Sequence, residues 1–282
     1  MRKIKLGWEL TKKSWALLRE HRELFRFPVY GTLASLPALA VVIAAIVLLD
    51  IQEYGVGVIL LVAGLYLTSL VGLYFSVGLA ATADAIFHGR DATVGDGLAA
   101  ARARFGSIAG WAAVSTAVSL VVAAIQYFGE LGEQIVASLL NGAWDLITFL
   151  AVPVIAFEGT SALSTLKRSA HLFRERWAGQ VTGNVAIGGI VFLVGFLPAI
   201  ALIAVGVLLW ISDGGGEEMA AGGVLVAIGL VVFLVSSFVV RTMRGVFGVA
   251  LYRYAANGET TAAFTEADLE SAVRTRGAPR TA

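Results

Sequence analysis

The chain has 282 residues, of which 58% are hydrophobic and 15% charged, and its mean hydropathy of +0.82 exceeds what a water-soluble domain carries, so lipid is the expected solvent. Cysteine is absent, which excludes disulfides, thiolate metal sites and a cysteine nucleophile. The formal net charge is only +1, and the basic residues flank apolar runs instead of forming a groove-sized patch, so nucleic acid is not an expected partner.

The first 28 residues read as an amphipathic helical segment: Ile4, Trp8, Thr11, Trp15 and Leu18 recur at helical spacing, with Lys12, Lys13, Arg19 and Arg22 elsewhere on the wheel. A segment this long and charged does not fit a cleaved signal peptide, so the first apolar run reads as a retained span. Apolar runs long enough to cross hydrocarbon then follow at about 29–50, 56–82, 108–128, 135–157, 181–211 and 222–245. In lipid each backbone polar group must pair within its own segment, so these runs are expected to be helices. The expected fold is an all-α integral membrane protein whose six transmembrane helices form three hairpins, each preceded by a cytoplasmic amphipathic helix. Residues 1–258 make the membrane domain and 259–282 a polar cytoplasmic tail, partly disordered. Pro37 is expected to bend the first span and Pro198 to kink or tilt the long fifth one.

Orientation follows from charge. The connections Asp50 to Gly55, Gln126 to Gln134 and Ser212 to Ala221 contain no Lys or Arg. All 21 basic residues fall in the amino-terminal segment, in 83–107, in 158–180, or in the last span and tail. The positive-inside rule then puts both termini in the cytoplasm and the chain in the cytoplasmic membrane, which requires an even number of spans.

Two further amphipathic segments precede the second and third hairpins. Val94, Leu98, Ala101 and Phe105 form one stripe beside Arg102 and Arg104; Leu163, Leu166, Ala170, Phe173 and Trp177 form another beside Lys167, Arg168 and Arg174. Such helices lie in the interface, apolar face toward acyl chains and basic face toward anionic head groups. KSWALLREH (Lys13 to His21) aligns without a gap on RSAHLFRER (Arg168 to Arg176), which suggests an internal repeat. Thr160 or Ser161 is placed to cap the third segment.

Trp144 followed by PVIAFEG (Pro153 to Gly159), then LKRSAHLFRERWAG (Leu166 to Gly179) and ALYRYAANG (Ala250 to Gly258), resembles a six-span, domain-of-unknown-function family of archaeal and bacterial membrane proteins. That family is related to the membrane domain of glycerophosphoryl diester phosphodiesterases. The resemblance implies the architecture and no reaction, because the phosphodiesterase of such relatives is a separate soluble domain.

Asp145 is the sharpest candidate site, since a carboxylate near the middle of span four must face protein or water. Thr68, Ser115, Ser119 and Ser236 lie at comparable depths and complete a candidate intramembrane polar site, either a proton or cation site or hydrogen-bonded glue between helices. A second, interfacial site for lipid or ion pairing comprises Asp84, Glu158, Lys167, Arg168, Arg241 and Arg244. Here Glu158 is expected to pair with Arg168 or Arg241, and Asp84 with Arg241 or Arg244. Gly64, Thr68, Gly72, Ser76, Ala80 and Asp84 form a four-residue ridge that invites close helix packing. The three histidines lack metal-ligand spacing, and no metal, cofactor or catalytic residue is expected. DGLAAARARFGSIAG (Asp96 to Gly110) resembles the start of the CDP-alcohol phosphotransferase motif, but Ala101, Val114 and Val118 stand where its arginine and aspartates belong.

The expected function is therefore that of a non-enzymatic polytopic protein that organises the membrane by binding lipid, anionic lipid included, or a protein partner. The alternative is a small transporter or permease subunit built on Asp145. A lipid-modifying enzyme comes third, for want of converging carboxylates or histidines.

Overall fold

The computed structural model describes residues 13, 15–16, 18–50, 54–128, 140, 144, 148–177, 192–211, 216–261 and 264. Its elements are helical: α1 (Glu23–Asp50), α2 (Tyr54–Phe87), α3 (Val94–Ala103), α4 (Phe105–Phe128), α5 (Ala151–Glu158), α6 (Ala162–Trp177), a π-helical turn (Phe192–Phe196), α7 (Leu197–Ile211) and α8 (Gly216–Asn257). Four of them contain stretches long and apolar enough to cross a bilayer: Glu23–Leu48, Gly55–Phe87, Phe105–Gln126 and Gly216–Asn257. The expected fourth and fifth spans, 135–157 and 181–211, each lie partly outside the described residues; α5 belongs to the described portion of the one, and the π-helical turn and α7 to that of the other. Leu33, Leu36, Leu39, Ile43 and Ile46 on α1, and Val56, Val58, Ile59 and Val62 on α2, are exposed. So much outward apolar surface on helices of this length is that of a membrane protein.

The chain divides into two compact units. The first comprises His21–Ala178 and Gly245–Ala262. Its burial is concentrated near the charged ends of the spans: Leu24 and Phe27 on α1, Val77 to Asp84 on α2, Ile108 to Ala112 on α4, Val154 and Ile155 on α5, and Val246 to Tyr252 on α8 hold most of its buried residues. Val77, Ala101, Ile108, Trp111, Ala151 and Ile155 form a shared core, against which Trp144 and Leu166 pack. Trp111 and Trp144 stack with ring centroids 5.8 Å apart and planes 6° from parallel. Lipid tails are as apolar as leucine, so close packing and polar contacts, more than a hydrophobic drive, hold the intramembrane parts together.

Helix ends are set locally. α2 stops where Gly89 adopts φ +68°: its N–H donates to Ile86 O at 2.9 Å and that of Arg90 to Ala85 O at 3.0 Å, the paired pattern that left-handed glycine permits. α3 starts on a capping box, with Thr93 Oγ1 accepting from Asp96 N and the Asp96 carboxylate accepting from Thr93 N at 2.8 Å. The backbone and hydroxyl hydrogen bonds from Thr93 hold the Asp96 carboxyl below its ordinary value. Ser161 caps α6, its Oγ accepting from Ser164 N at 3.5 Å.

Close packing departs from the expected ridge. A Cβ on Gly64 would sit 2.7 Å from Val42 Cγ2 on α1, but one on Gly72 would meet nothing within 4 Å. A close approach is found instead between α2 and α3, where a Cβ on Gly97 would lie 2.6 Å from both Gly78 O and Phe27 Cζ of α1. α3 thus docks on protein through its glycine, with Ala101 buried and Phe105 51% exposed. The stripe expected to reach acyl chains is split.

α6 is rotated in the same sense. Its buried residues are Thr165, Ser169 and Leu172, while Leu163, first in the expected apolar stripe, is 66% exposed. The Thr160–Thr165 hydroxyl pair at 2.9 Å and the Arg168–Glu158 ion pair at 2.9 Å turn the hydroxyl face inward. The side chains of Phe173 and Trp177 lie outside the described ones.

The second unit comprises Met1–Glu20, Gly179–Arg244 and Ala263–Ala282. Here α7 crosses the first part of α8 at glycine: a Cβ on Gly206 would be 2.7 Å from Gly222 O, and one on Gly229 would be 3.0 Å from Ala199 O. The π-helical turn Phe192–Phe196 abuts Pro198, so the irregularity expected of this proline takes the form of a widened turn just before it. On α1, by contrast, Pro28 and Pro37 both sit inside one continuous helix. Of the amino-terminal amphipathic segment, Leu18 is buried and Trp15 is 39% exposed, with Arg19 Cζ 5.6 Å from the Trp15 ring.

Candidate functional site

The first unit holds a cluster of paired charges. Asp84, three residues before the end of α2, has a side chain only 8% exposed and receives a two-pronged arginine. Arg253 of α8 donates Nε–H to Oδ1 and Nη2–H to Oδ2, both at 2.7 Å, the planar fork geometry that favours arginine over lysine. The same guanidinium lies 4.9 Å from the centre of the Phe157 ring, a cation–π contact on its free face. Glu259 approaches Nη1 at 3.9 Å. His88, one turn beyond Asp84, places Nδ1 2.7 Å from the Asp84 carbonyl oxygen.

A second carboxylate is bound one residue past Phe157. Glu158 Oε1 accepts from Arg168 Nε at 2.9 Å and from the Tyr252 hydroxyl at 2.9 Å. The Tyr252 and Phe157 rings stand 5.3 Å apart, so consecutive residues of α8 grip consecutive residues of α5. The end of α5 is closed by Gly159 at φ +62°, where a side chain would also run into Arg104. Arg104 Nη2 reaches Phe157 O at 3.5 Å and Ser107 Oγ donates to Gly159 O at 3.0 Å. A cation thus sits at a helix carboxyl end, where the macrodipole favours it.

Both oxygens of Asp84 accept from Arg253, and Oε1 of Glu158 accepts from Arg168 and Tyr252. The arrangement is chemically a clamp, drawing the ends of α2, α5 and α8 and the middle of α6 together.

Of the interfacial candidates, Asp84, Glu158 and Arg168 belong to this cluster. Arg241 and Arg244 do not; both are exposed and lie in the other unit. The apolar stretch after Arg244 is protein core, with Val246, Phe247, Val249 and Ala250 buried, which carries Arg253 to Asp84 instead. Lys167 is exposed on α6. Sequence reasoning missed Arg253, Tyr252, Phe157 and Arg104; the signal available was the YRY triplet, an arginine between tyrosines directly after an apolar run.

Of the intramembrane candidates, Thr68, Ser115 and Ser119 lie in the first unit and Ser236 in the second. Asp145 lies outside the described residues. Thr68 Oγ1 donates to Gly64 O at 2.8 Å and Ser236 Oγ to Val232 O at 2.8 Å, so each is satisfied within its own helix. On α4, Ser115 is half-buried and Ser119 exposed. Between them Thr116 Oγ1 is buried without a hydrogen-bond partner among the described residues.

The sequence model of a family described only as one of unknown function, DUF6159, matches residues 55–262. The chain belongs to this family. The DUF6159 match begins at the first described turn of α2 and ends just past Glu259, so it takes in every residue of the clamp. No curated protein and no solved structure matches the chain.

Proposed function

We propose that this DUF6159 protein is a six-span protein of the cytoplasmic membrane, both termini cytoplasmic, that works without catalysis by holding lipid or a partner at its cytoplasmic face. The observation that carries the reading is the clamp: both interfacial carboxylates are engaged by arginine and tyrosine donors, which suits a scaffold better than a reaction centre. The Lys- and Arg-free connections and the outward apolar faces support the topology. The PVIAFEG and LKRSAHLFRERWAG segments support kinship with the membrane domain of glycerophosphoryl diester phosphodiesterases. Native mass spectrometry of the full chain extracted from its own membrane tests the proposal. Anionic phospholipid retained in preference to zwitterionic phospholipid, or a stoichiometric protein partner, is the expected result; delipidated protein alone contradicts it.

A further inference from the structure

The outer face of α6 carries a stripe that the clamp does not use. Leu163, Lys167, His171 and Arg174 are all exposed and, at 3.6 residues per turn, fall within an arc of roughly 80°. Thr165, Ser169 and Leu172 are buried on the opposite side. Neither Lys167 nor Arg174 has an ion-pair partner among the described residues, whereas Arg168, on the flank of the arc, is neutralised by Glu158.

Depth fixes what the stripe meets. The apolar stretch of α4, Phe105–Gln126, has 22 residues, about 33 Å at 1.5 Å per residue. All of it is needed to cross about 30 Å of hydrocarbon, so its first turns mark the bilayer boundary. The start of α6 is anchored there: Ser107 bonds Gly159 O at 3.0 Å, and a Cβ on Gly110 would be 3.7 Å from Ala162 Cβ. Leu163, next to Ala162 and 66% exposed, therefore projects at the acyl edge beside these first turns of α4. Successive turns of the same arc then present Lys167, His171 and Arg174.

We infer that this stripe is a binding surface for the phosphate head groups of anionic phospholipid in the cytoplasmic leaflet, with Leu163 inserted among acyl chains and Lys167 and Arg174 taking the phosphates. The inference rests on the membrane reading above and names the surface that serves it. An acidic protein would satisfy the cations, but it would leave Leu163 at the hydrocarbon edge without a purpose.

The test is a titration of dioctanoyl phosphatidylglycerol, with dioctanoyl phosphatidylcholine as reference, into the detergent-solubilised full chain, read by native mass spectrometry. Each cation near an anionic surface contributes about fivefold, so Lys167→Gln with Arg174→Gln lowers the apparent affinity for phosphatidylglycerol roughly twenty-five-fold and leaves phosphatidylcholine unchanged. The charge-conserving pair Lys167→Arg with Arg174→Lys retains binding. Unchanged phosphatidylglycerol affinity in the Gln pair overturns this surface while leaving the broader proposal standing. No preference of the wild-type chain for phosphatidylglycerol overturns this surface and removes lipid from the broader proposal. Equal loss in the charge-conserving pair also overturns it.

Discussion

Arg253→Met is the perturbation that most directly examines the clamp. It removes both donors from an Asp84 side chain that is 8% exposed and leaves a carboxylate in a largely dry setting. Breaking a buried ion pair by removing one partner costs about 3–5 kcal/mol, and with Arg253 itself 21% exposed the lower end, about 3 kcal/mol, is expected. Adding Asp84→Asn removes the stranded charge, so the double variant should recover part of the loss, with a coupling energy of about 2 kcal/mol. Arg241→Met, at an exposed position on the same helix, is the control and should stay within about 0.5 kcal/mol of wild type. The assay is unfolding by sodium dodecyl sulfate in mixed micelles, followed by tryptophan fluorescence, to which the Trp111–Trp144 stack in the same unit contributes. If Arg253→Met matched Arg241→Met, the cluster would not hold the unit together and the reasoning would fail.

Other substitutions separate the remaining contacts. Gly97→Ala forces a methyl against Gly78 O and the Phe27 ring and should destabilise by about 1–3 kcal/mol, whereas Gly106→Ala, which meets nothing within 4 Å, should be neutral or stabilising by up to about 1 kcal/mol in the same titration. Gly159→Ala must hold a left-handed conformation and displace Arg104, so a loss above about 1 kcal/mol is expected; a neutral effect would contradict the capped end of α5. Asp96 has its carboxyl lowered by Thr93, so its contribution is present above the unfolded value near 3.8 and is lost as pH falls through the lower folded one. Thr93→Ala keeps the backbone donor and removes the hydroxyl, so it should raise the Asp96 pKa part of the way toward 3.8 in an NMR pH titration, and an unmoved pKa would rule out the hydroxyl's share of the cap.

The amount of this that the sequence discloses varies with distance along the chain. Glu158 and Arg168 are ten residues apart across a helix–glycine–helix turn, so their pairing is readable from local spacing. Asp84 and Arg253 are separated by 169 residues, and nothing in hydropathy distinguishes Arg253 from the nearer Arg241 and Arg244. Hydropathy shows only that the run after Arg244 is apolar; Val246 to Tyr252 are buried against protein, and hydropathy cannot tell a hydrocarbon solvent from a protein core. The same ambiguity explains α6: its leucine stripe is legible, but the rotation that buries Thr165 and Ser169 is set by partners on other segments. At Gly97 a glycine between Asp96 and Leu98 carries no periodic signal, although a Cβ there would lie 2.6 Å from Gly78 O.

The central claim is that the chain crosses the membrane with its cationic segments on the cytoplasmic side. Because the chain has no cysteine, single replacements Glu53→Cys, Glu130→Cys, Ser212→Cys and Asp91→Cys report sidedness without background. A membrane-impermeant maleimide applied to intact cells should modify the first three and spare Asp91→Cys until the membrane is permeabilised. Labelling of Asp91→Cys from outside, or protection of any of the other three, would contradict the account.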